Sequence, residues 1–335
     1  MITKGTHMHI YRFFLVSVVA ALALVACGPD EDETLNYLTG SPEFSLPAYG
    51  VAGERFELTS KGVTADDGSK VDYYWYADPI STTRDTVPNY IIYLPDTLCT
   101  VTVYCVGFAE GYYTSSTSHN ITIVKPDRQN GSITGLAFDQ TKDFSFTDPR
   151  DGHEYWCTTV GDKDWFKENL AYKGAGVPLQ NCDATSDIFG RFYTWDEAVS
   201  SCPEGWRMSS LDDWSAAASV VLGGSPDPKE RYYSVAGEFM GDIYFNGEKM
   251  WEYWPNVKIT NSLRLSMTPL GYAIKMESGN RFKSQFEYAA FWTSDIKDDE
   301  QAYYRYFYDE SPDLFIGNAF KSSFAASVRC VRDHQ

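Results

Sequence analysis

The chain has 335 residues, of which 43% are hydrophobic, 16% aromatic and 22% charged, and its formal net charge is −18. This is the composition of a globular protein, and the length favours two domains over one. So acidic a surface repels phosphate backbones, which argues against a nucleic acid as partner.

The N-terminus predicts a lipoprotein signal peptide over residues 1–26. Lys4 and Arg12 precede an apolar run, residues 13–26, that is too short for a comfortable membrane span. The run ends in Leu-Val-Ala-Cys, which resembles the bacterial lipobox, where cleavage precedes an acylated cysteine, here Cys27. Acyl chains on Cys27 would attach the mature protein to membrane lipid without a spanning helix. The alternative is an ordinary signal peptide in which Cys27 is incidental.

Residues 27–40 are interpreted as an acidic tether. Four consecutive acids, residues 30–33, follow the cysteine. Such a run is either a solvated spacer or a targeting signal. It resembles the acidic signal that sends lipoproteins of Bacteroidota to the outer face of the outer membrane. We therefore expect a lipid-anchored protein of the outer membrane that faces the cell exterior.

Residues 41–125 have the pattern of an all-β domain. Short β-branched or aromatic runs, among them residues 71–78 and 99–108, alternate with turn residues. Six or seven such strands in a segment of this length are typical of an antiparallel sandwich. The last two strands resemble those of bacterial immunoglobulin-like or PKD-like domains, and Trp75 would be the core tryptophan.

Six cysteines follow Cys27, and an exported chain is free to form disulfides. They allow 15 pairings, among which spacing alone does not choose. Cys99 and Cys105 share one strand-like run of roughly 20 Å. A disulfide needs Cα atoms within about 7 Å, so these two cannot be joined within one strand. We expect them to be small buried hydrophobic residues.

Residues 126–146 form either a linker rich in Pro, Gly and Asn or the start of the next domain, which extends over 147–335. Two helices are predicted in this domain. The first covers about residues 193–202 and ends at Pro203. Four of its residues share one face at helical spacing, Trp195, Ala198, Val199 and Cys202.

The second helix is predicted to begin at Ser209 or Ser210, each of which offers a capping box with an acid three residues on. Gly223 is expected to end it. Near the C-terminus, residues 326–332 read as a strand. Its alternation places Cys330 toward the core and Arg329 on the opposite face.

The sequence from 147 to 333 carries a series of short motifs in a fixed order. They are DGHEY at 151–155, GDKDW at 161–165, KENLAY at 167–172, GRFYTW at 190–195, CPEGW at 202–206, FWTS at 291–294, AYY at 302–304 and SVRCVRD at 327–333. Together they resemble the Fibrobacter succinogenes major paralogous domain family. Ser209 departs from the pattern, since the family usually has Pro there.

The resemblance implies a C-type-lectin-like fold of the kind shared with formylglycine-generating enzymes. The expected architecture is therefore an all-β immunoglobulin-like sandwich followed by an α+β C-type-lectin-like domain with two helices and antiparallel strands. In that fold a cysteine beside the first helix commonly bonds the last strand, which pairs Cys202 with Cys330. Cys157 with Cys182 is then the natural second bridge.

Catalytic motifs find little support in the sequence. His119, His153 and His334 have no spacing typical of zinc ligands, and there is no phosphate loop, G-x-S-x-G elbow or G-x-G-x-x-G. A carboxylate pair of the glycosidase type needs two facing acids, and nothing selects a pair here. We therefore expect a protein that is not an enzyme and carries no cofactor.

Two segments are candidates for binding. WEYWPN at 251–256 places Trp251, Tyr253 and Trp254 in a predicted loop, where rings could stack on sugars and Asn256 could donate hydrogen bonds. The alternative is that two of these three aromatic residues pack in the core.

The segment WTSD at 292–295 lies near the position where calcium-binding lectins carry Trp-Asn-Asp. Asp295, Asp298 and Asp299 supply hard oxygen ligands of the kind that suit Ca²⁺. The Glu-Pro-Asn or Gln-Pro-Asp partner of such lectins is absent, so we expect an exposed acidic turn rather than a calcium site.

The leading hypothesis is a non-enzymatic surface lipoprotein whose C-type-lectin-like domain binds a glycan or a protein. One alternative is a structural or fimbria-associated assembly subunit. The other is a carbohydrate-active enzyme with an unidentified carboxylate pair. The region between about residues 225 and 320 is where we expect the binding residues to lie.

Overall fold

The computed structural model describes residues 35–251 and 257–335, which are mostly β-strand with few helices. Several predicted features lie outside the described residues: the signal peptide, Cys27, the acidic run 30–33, Tyr253, Trp254 and Asn256. Among the described residues, no helix has both the length and the apolar character needed to cross a membrane.

Nine strands form the N-terminal part, residues 35–124. They are β1 Asn36–Tyr37, β2 Tyr49–Val51, β3 Arg55–Leu58, β4 Asp72–Asp78, β5 Ser81–Asp85, β6 Tyr90–Tyr93, β7 Thr100–Phe108, β8 Tyr112–Tyr113 and β9 Ser115–Val124. The main sheet has the order β2-β9-β7-β4-β5, and β3 pairs with β6. Two pairings, β1 with β8 and β2 with β9, are parallel, so the prediction of purely antiparallel strands is wrong there.

The core of the N-terminal part lies between the main sheet and the β3-β6 pair. Trp75 is fully buried and stacks on Tyr90, with ring centroids 5.7 Å apart, as expected of a core tryptophan. Cys105 is buried and Cys99 partly buried, and both are free thiols. The alternating inward residues of β4 and β7 therefore build one contiguous apolar cluster.

The C-terminal part, residues 125–335, contains the remaining strands. They are β10 Ile133–Thr134, β11 Asp143–Thr147, β12 Glu154–Val160, β13 Lys163–Phe166, β14 Val177–Pro178, β15 Arg191–Thr194, β16 Arg207–Met208, β17 Tyr244–Phe245, β18 Glu248–Lys249, β19 Tyr272–Met276, β20 Gly279–Lys283, β21 Tyr288–Ile296, β22 Gln301–Tyr308, β23 Phe315–Phe320, β24 Phe324–Ala326 and β25 Cys330–Asp333.

These strands form two five-stranded sheets, β11-β12-β13-β25-β16 and β14-β15-β24-β19-β20, and two three-stranded sheets, β10-β17-β18 and β21-β22-β23. The helices of the C-terminal part are α1 Ser186–Phe189, α2 Trp195–Ala198, α3 Leu211–Leu222 and α4 Ala236–Phe239. Only α3 exceeds four residues among the described helices.

Helix α3 forms as its capping residues predict. Ser210 accepts a hydrogen bond from the Asp213 backbone N–H, and the Asp213 carboxylate accepts one from the Ser210 N–H, which completes a capping box. Gly223 ends the helix at φ +72°, in the left-handed region that suits glycine. Trp214 is fully buried between the helix and the sheets.

The predicted helix over 193–202 is much shorter in the structure. Thr194 ends strand β15 and caps α2, which covers only Trp195–Ala198. Ser201 interrupts the helix because its hydroxyl donates to the Glu197 carbonyl while its N–H bonds the Ala198 carbonyl in a tighter turn. Val199, predicted to face the core, is therefore exposed.

The structure joins Cys202 to Cys330, with Cα atoms 5.8 Å apart. The pairing that the resemblance implied is thereby confirmed. The second pairing is wrong, since Cys157 and Cys182 are free thiols. Cys157 packs within the core between Tyr155 and its neighbours, whereas Cys182 sits in a separate turn between two short 3₁₀ helices.

Candidate functional site

Three strands of the C-terminal part present a row of aromatic rings. On β22, Tyr304, Tyr306 and Tyr308 alternate along the strand and therefore share one face. Tyr288 on β21 lies opposite Tyr308, and Phe315 on β23 lies opposite Tyr306. We call these five residues the tyrosine face.

The rings of the tyrosine face form a continuous set of contacts. Tyr306 lies 5.2 Å from Tyr288, 5.5 Å from Tyr304 and 5.0 Å from Phe315, measured between ring centroids. Tyr308 lies 4.9 Å from Tyr288 and 5.7 Å from Phe315. These separations fall within the range in which aromatic pairs attract each other, so each ring fixes the position of the next.

The tyrosine face reaches solvent mainly at Tyr308, and its buried end, Tyr288, belongs to a core cluster. Tyr308 is 42% exposed, and Tyr304, Tyr306 and Phe315 are half-buried. On the other face of β22, the side chains that alternate with these residues, such as Phe307, are fully buried. A solvent-facing side of a sheet ordinarily carries polar residues. The partly exposed rings of this face therefore make it a candidate binding surface.

Gly317 positions one ring of the tyrosine face. A Cβ at this residue would lie 2.7 Å from the Tyr304 ring, so the absence of a side chain lets the ring lie directly on strand β23. The Tyr304 hydroxyl lies 3.3 Å from that of Tyr288. Burial raises the pKa of Tyr304 and Tyr306, so both hydroxyls stay neutral and can both donate and accept hydrogen bonds.

A cleft of about 520 Å³ adjoins the tyrosine face. Tyr288 and Tyr308 belong to both the face and the cleft. The other residues that line the cleft include Glu248, Ser284, Gln285, Glu287 and Glu310. This volume falls within the usual range for small-ligand sites. The cleft therefore extends the aromatic surface with carboxylate, hydroxyl and amide groups.

Trp251 does not contribute to a binding surface. It is 1% exposed, and its indole N–H donates to the Met267 carbonyl at 2.9 Å. The sequence placed it in a ligand-binding loop, and this prediction is wrong because Trp251 packs in the main core of the C-terminal part. The alternative interpretation, core packing, holds for this tryptophan.

The calcium candidates serve local structure instead. Asp295 accepts a hydrogen bond from the Leu211 N–H at 2.7 Å, at the start of α3. Asp298 accepts bonds from the N–H groups of Glu300 and Gln301, which closes the turn between β21 and β22. Within residues 35–251 and 257–335, no three His, Cys, Asp or Glu side chains are grouped as metal ligands, so Asp299 joins no such set.

The model of one protein family, described as the Fibrobacter succinogenes major domain, matches residues 158–332. This match covers more than half of the chain. The chain belongs to this family. The tyrosine face lies entirely within the matched residues. No curated protein matches the chain.

The KENLAY motif of this Fibrobacter succinogenes major domain forms a buried polar cluster. Lys167 lies 2.8 Å from Asp143, and Glu168 lies 3.1 Å from Arg128. Asn169 accepts a hydrogen bond from Arg329 at 2.9 Å. The arginine also donates to the carbonyls of Phe166, Leu265 and Ser266.

The predicted position of Arg329, opposite the core, is wrong. The residue is 1% exposed, and its guanidinium donates hydrogen bonds to three backbone carbonyls and to Asn169 inside the domain. Burial lowers the pKa of Arg329 to about 9 and that of Lys167 to about 8.

Shifted pKa values of this kind also occur at catalytic sites. Here the charged groups are instead paired with or hydrogen-bonded to other protein groups. We therefore interpret the KENLAY cluster as internal scaffold of the family domain.

Beside this cluster, the carboxylate of Asp187 should make the stability of the domain depend on pH. His153 lies 3.6 Å from Asp187 and Lys173 lies 2.9 Å from it, and these partners lower the pKa of Asp187 to about 2. A carboxyl group with a lowered folded-state pKa adds stability above its unfolded-state pKa and loses it as the pH falls toward the folded-state value.

We expect unfolding experiments between pH values of about 4 and about 2 to show a loss of roughly 1 kcal/mol attributable to Asp187. The figure is reduced because the side chain is 40% exposed and solvent screens the pair. The Asp187→Asn variant should lack this component of the pH dependence. An unchanged pH profile in that variant would contradict the assignment.

The sequence carries a signal for the tyrosine face. In the run AYYRYFY at 302–308, tyrosines at every second position would share one side of a strand. Period-two spacing alone does not tell which face of a strand is buried. The ring contacts from β21 and β23 supply that information.

Proposed function

We propose that this protein is a non-enzymatic, lipid-anchored surface protein whose C-terminal part binds a glycan through the tyrosine face. The observation that carries this proposal is the environment of Tyr306. Its ring contacts four other rings at centroid distances from 5.0 to 5.5 Å, yet it remains only half-buried. Rings fixed in this way lose little conformational freedom when a ligand binds, which favours affinity.

The chemistry of the tyrosine face favours a sugar over a protein partner. Tyr306 stacks between Tyr288 and Phe315, so the ring that suits the C–H groups of a sugar is that of the exposed Tyr308, and the tyrosine hydroxyls suit sugar hydroxyls. Successive rings on β22 are 5.5 Å apart, a spacing of the same order as the length of one sugar unit. The net charge of −18 disfavours polyanions, so the proposed ligand is a neutral glycan.

The proposal also includes the architecture and the location. The N-terminal part would be an immunoglobulin-like domain, and the C-terminal part a C-type-lectin-like domain. In the described chain, strands β1–β9 pair only with one another and not with the later strands, which supports two units. The lipobox-like sequence at Cys27 and the acidic run 30–33 support attachment to the outer face of the outer membrane.

Binding of neutral polysaccharides tests the proposal. Affinity electrophoresis and isothermal titration calorimetry with soluble β-glucan, α-glucan and galactomannan should detect binding to at least one of them. The double variant Tyr306→Ala/Tyr308→Ala should bind at least tenfold more weakly, which corresponds to about 1.4 kcal/mol. The Gly317→Ala variant should also weaken binding, because the new methyl group displaces the Tyr304 ring.

Tyr93→Ala is the matched control. Tyr93 is 62% exposed but lies on β6 of the N-terminal part, away from the tyrosine face. Its replacement should leave the affinity unchanged. Equal affinity of the wild type and the Tyr306→Ala/Tyr308→Ala variant would refute the proposed site. Hydrolysis of any of these polysaccharides would refute the non-enzymatic role.

A further inference from the structure

The N-terminal part carries a second exposed aromatic surface, which faces away from its core. On the outer face of the main sheet, Tyr76 on β4 lies directly opposite Tyr104 on β7. Their rings are nearly parallel, at an angle of 7°, and their centroids are 4.5 Å apart. Tyr74 continues the row and contacts Phe108 at 5.8 Å. We call these four residues the outer aromatic strip.

The outer aromatic strip is not part of the hydrophobic core. The core residues of β4 and β7, such as Trp75 and Val103, alternate with those of the strip and point to the opposite side of the sheet. None of the four strip residues belongs to a buried cluster of the described chain, and all four are half-buried. Core packing therefore does not account for four large rings at these positions.

A row of polar side chains runs alongside the strip on β9. Ser118 lies opposite Tyr104, Ser116 opposite Val106, and Asn120 opposite Thr102. The three β9 residues are exposed, and in the described chain their side chains are not engaged by other residues. Hydroxyl and amide groups thus lie beside Tyr104, one ring face of which is covered by Tyr76.

The charges around the strip exclude a polyanion as its ligand. Asp72 and Asp78 lie on the same strand as the tyrosines, and the guanidinium of Arg84 lies over the Tyr74 ring at 5.0 Å. With acids on the face and a net charge of −18, an anionic polymer would be repelled. An apolar protein surface would leave the free hydroxyl and amide groups unpaired, which costs binding energy. A neutral polymer rich in hydroxyl groups satisfies both the rings and the polar row.

We propose that the outer aromatic strip, with the polar row of β9, is a second binding site for a neutral, extended polysaccharide chain. The chain lies across β4, β7 and β9, with sugar rings against Tyr76 and Tyr104 and sugar hydroxyls bonded to Ser118 and Asn120. The site lies on the outer face of a sheet, which suits a surface-exposed chain rather than a ligand enclosed on all sides. This site stands independently of the tyrosine face of the C-terminal part.

The test uses the full-length protein and two probes, insoluble cellulose in a depletion assay and cellohexaose in calorimetry. The Tyr76→Ala/Tyr104→Ala variant should bind at least tenfold more weakly than the protein with only Tyr93→Ala, the exposed control. Because loss of two rings also removes sheet contacts, Ser118→Arg provides a second variant. It leaves both rings in place and covers them with a long side chain, and should weaken binding to a similar degree.

The outcomes separate the two sites. Loss of binding in Tyr76→Ala/Tyr104→Ala and in Ser118→Arg, with unchanged thermal unfolding of the latter, supports the second site. Wild-type affinity in both variants overturns it, even where Tyr306→Ala/Tyr308→Ala abolishes binding. Absence of binding of the wild type to cellulose and cellohexaose also overturns it. Binding of polygalacturonate in preference to both probes overturns the assignment of a neutral ligand.

Discussion

Replacement of Cys202 and Cys330 by serine together should lower the free energy of unfolding by about 5 kcal/mol. The disulfide joins residues 128 positions apart. In the chain-entropy model, removal of a cross-link that closes so long a loop raises the conformational entropy of the unfolded chain, and the folded state becomes less stable. It also frees the corner after α2 from strand β25. Urea unfolding followed by tryptophan fluorescence measures the effect.

The control for this variant is Cys99→Ser, which changes a partly buried free thiol and leaves the bridge intact. It should cost far less stability than the double variant. Reduction of the wild-type protein should reproduce the loss seen in Cys202→Ser/Cys330→Ser. Equal unfolding midpoints of the oxidised and reduced wild type would mean that the bridge adds nothing to stability.

Arg329→Met should be the second most damaging change, at a cost of about 3–5 kcal/mol. The methionine fills part of the space but donates no hydrogen bond. Asn169 and the carbonyls of Phe166 and Leu265 would then be buried without the donor that they now share. Thermal and denaturant unfolding of the purified variant measure the loss.

Arg332→Met provides a matched control three residues further along the chain. Arg332 is partly exposed and pairs with Asp164 at 3.0 Å. Asp164 is buried but also contacts His334 at 2.7 Å, so loss of the partly exposed arginine should cost less, about 1 kcal/mol. If Arg329→Met were no more destabilising than Arg332→Met, the KENLAY cluster would not act as the scaffold proposed for it.

Features controlled by local chemistry were predictable from the sequence. The capping box of Ser210 with Asp213 and the glycine at 223 defined α3, because these signals act within one helical turn. The alternating run at 326–332 likewise predicted a strand, of which the structure has Cys330–Asp333. The link between Cys202 and Cys330 came from the family resemblance, since spacing left many pairings open.

Features controlled by distant neighbours were not predictable. Alternation placed Arg329 outside the core, but carbonyls from two separate segments surround it. Trp251 was expected in a loop, and its partner Met267 comes from a different segment. The tyrosine face depends on rings from three strands, and the pairing of strands is a tertiary property that no single window of sequence contains.

The placement of strand β25 has a consequence for how the domain assembles. It lies between β13 and β16 in its sheet, and Lys163 of β13 pairs with Asp333 of β25. That sheet therefore lacks an interior strand until a segment far along the chain has arrived. Pairings of such long sequence separation slow folding. We expect the C-terminal part to fold late and as a unit, which is compatible with the export proposed above.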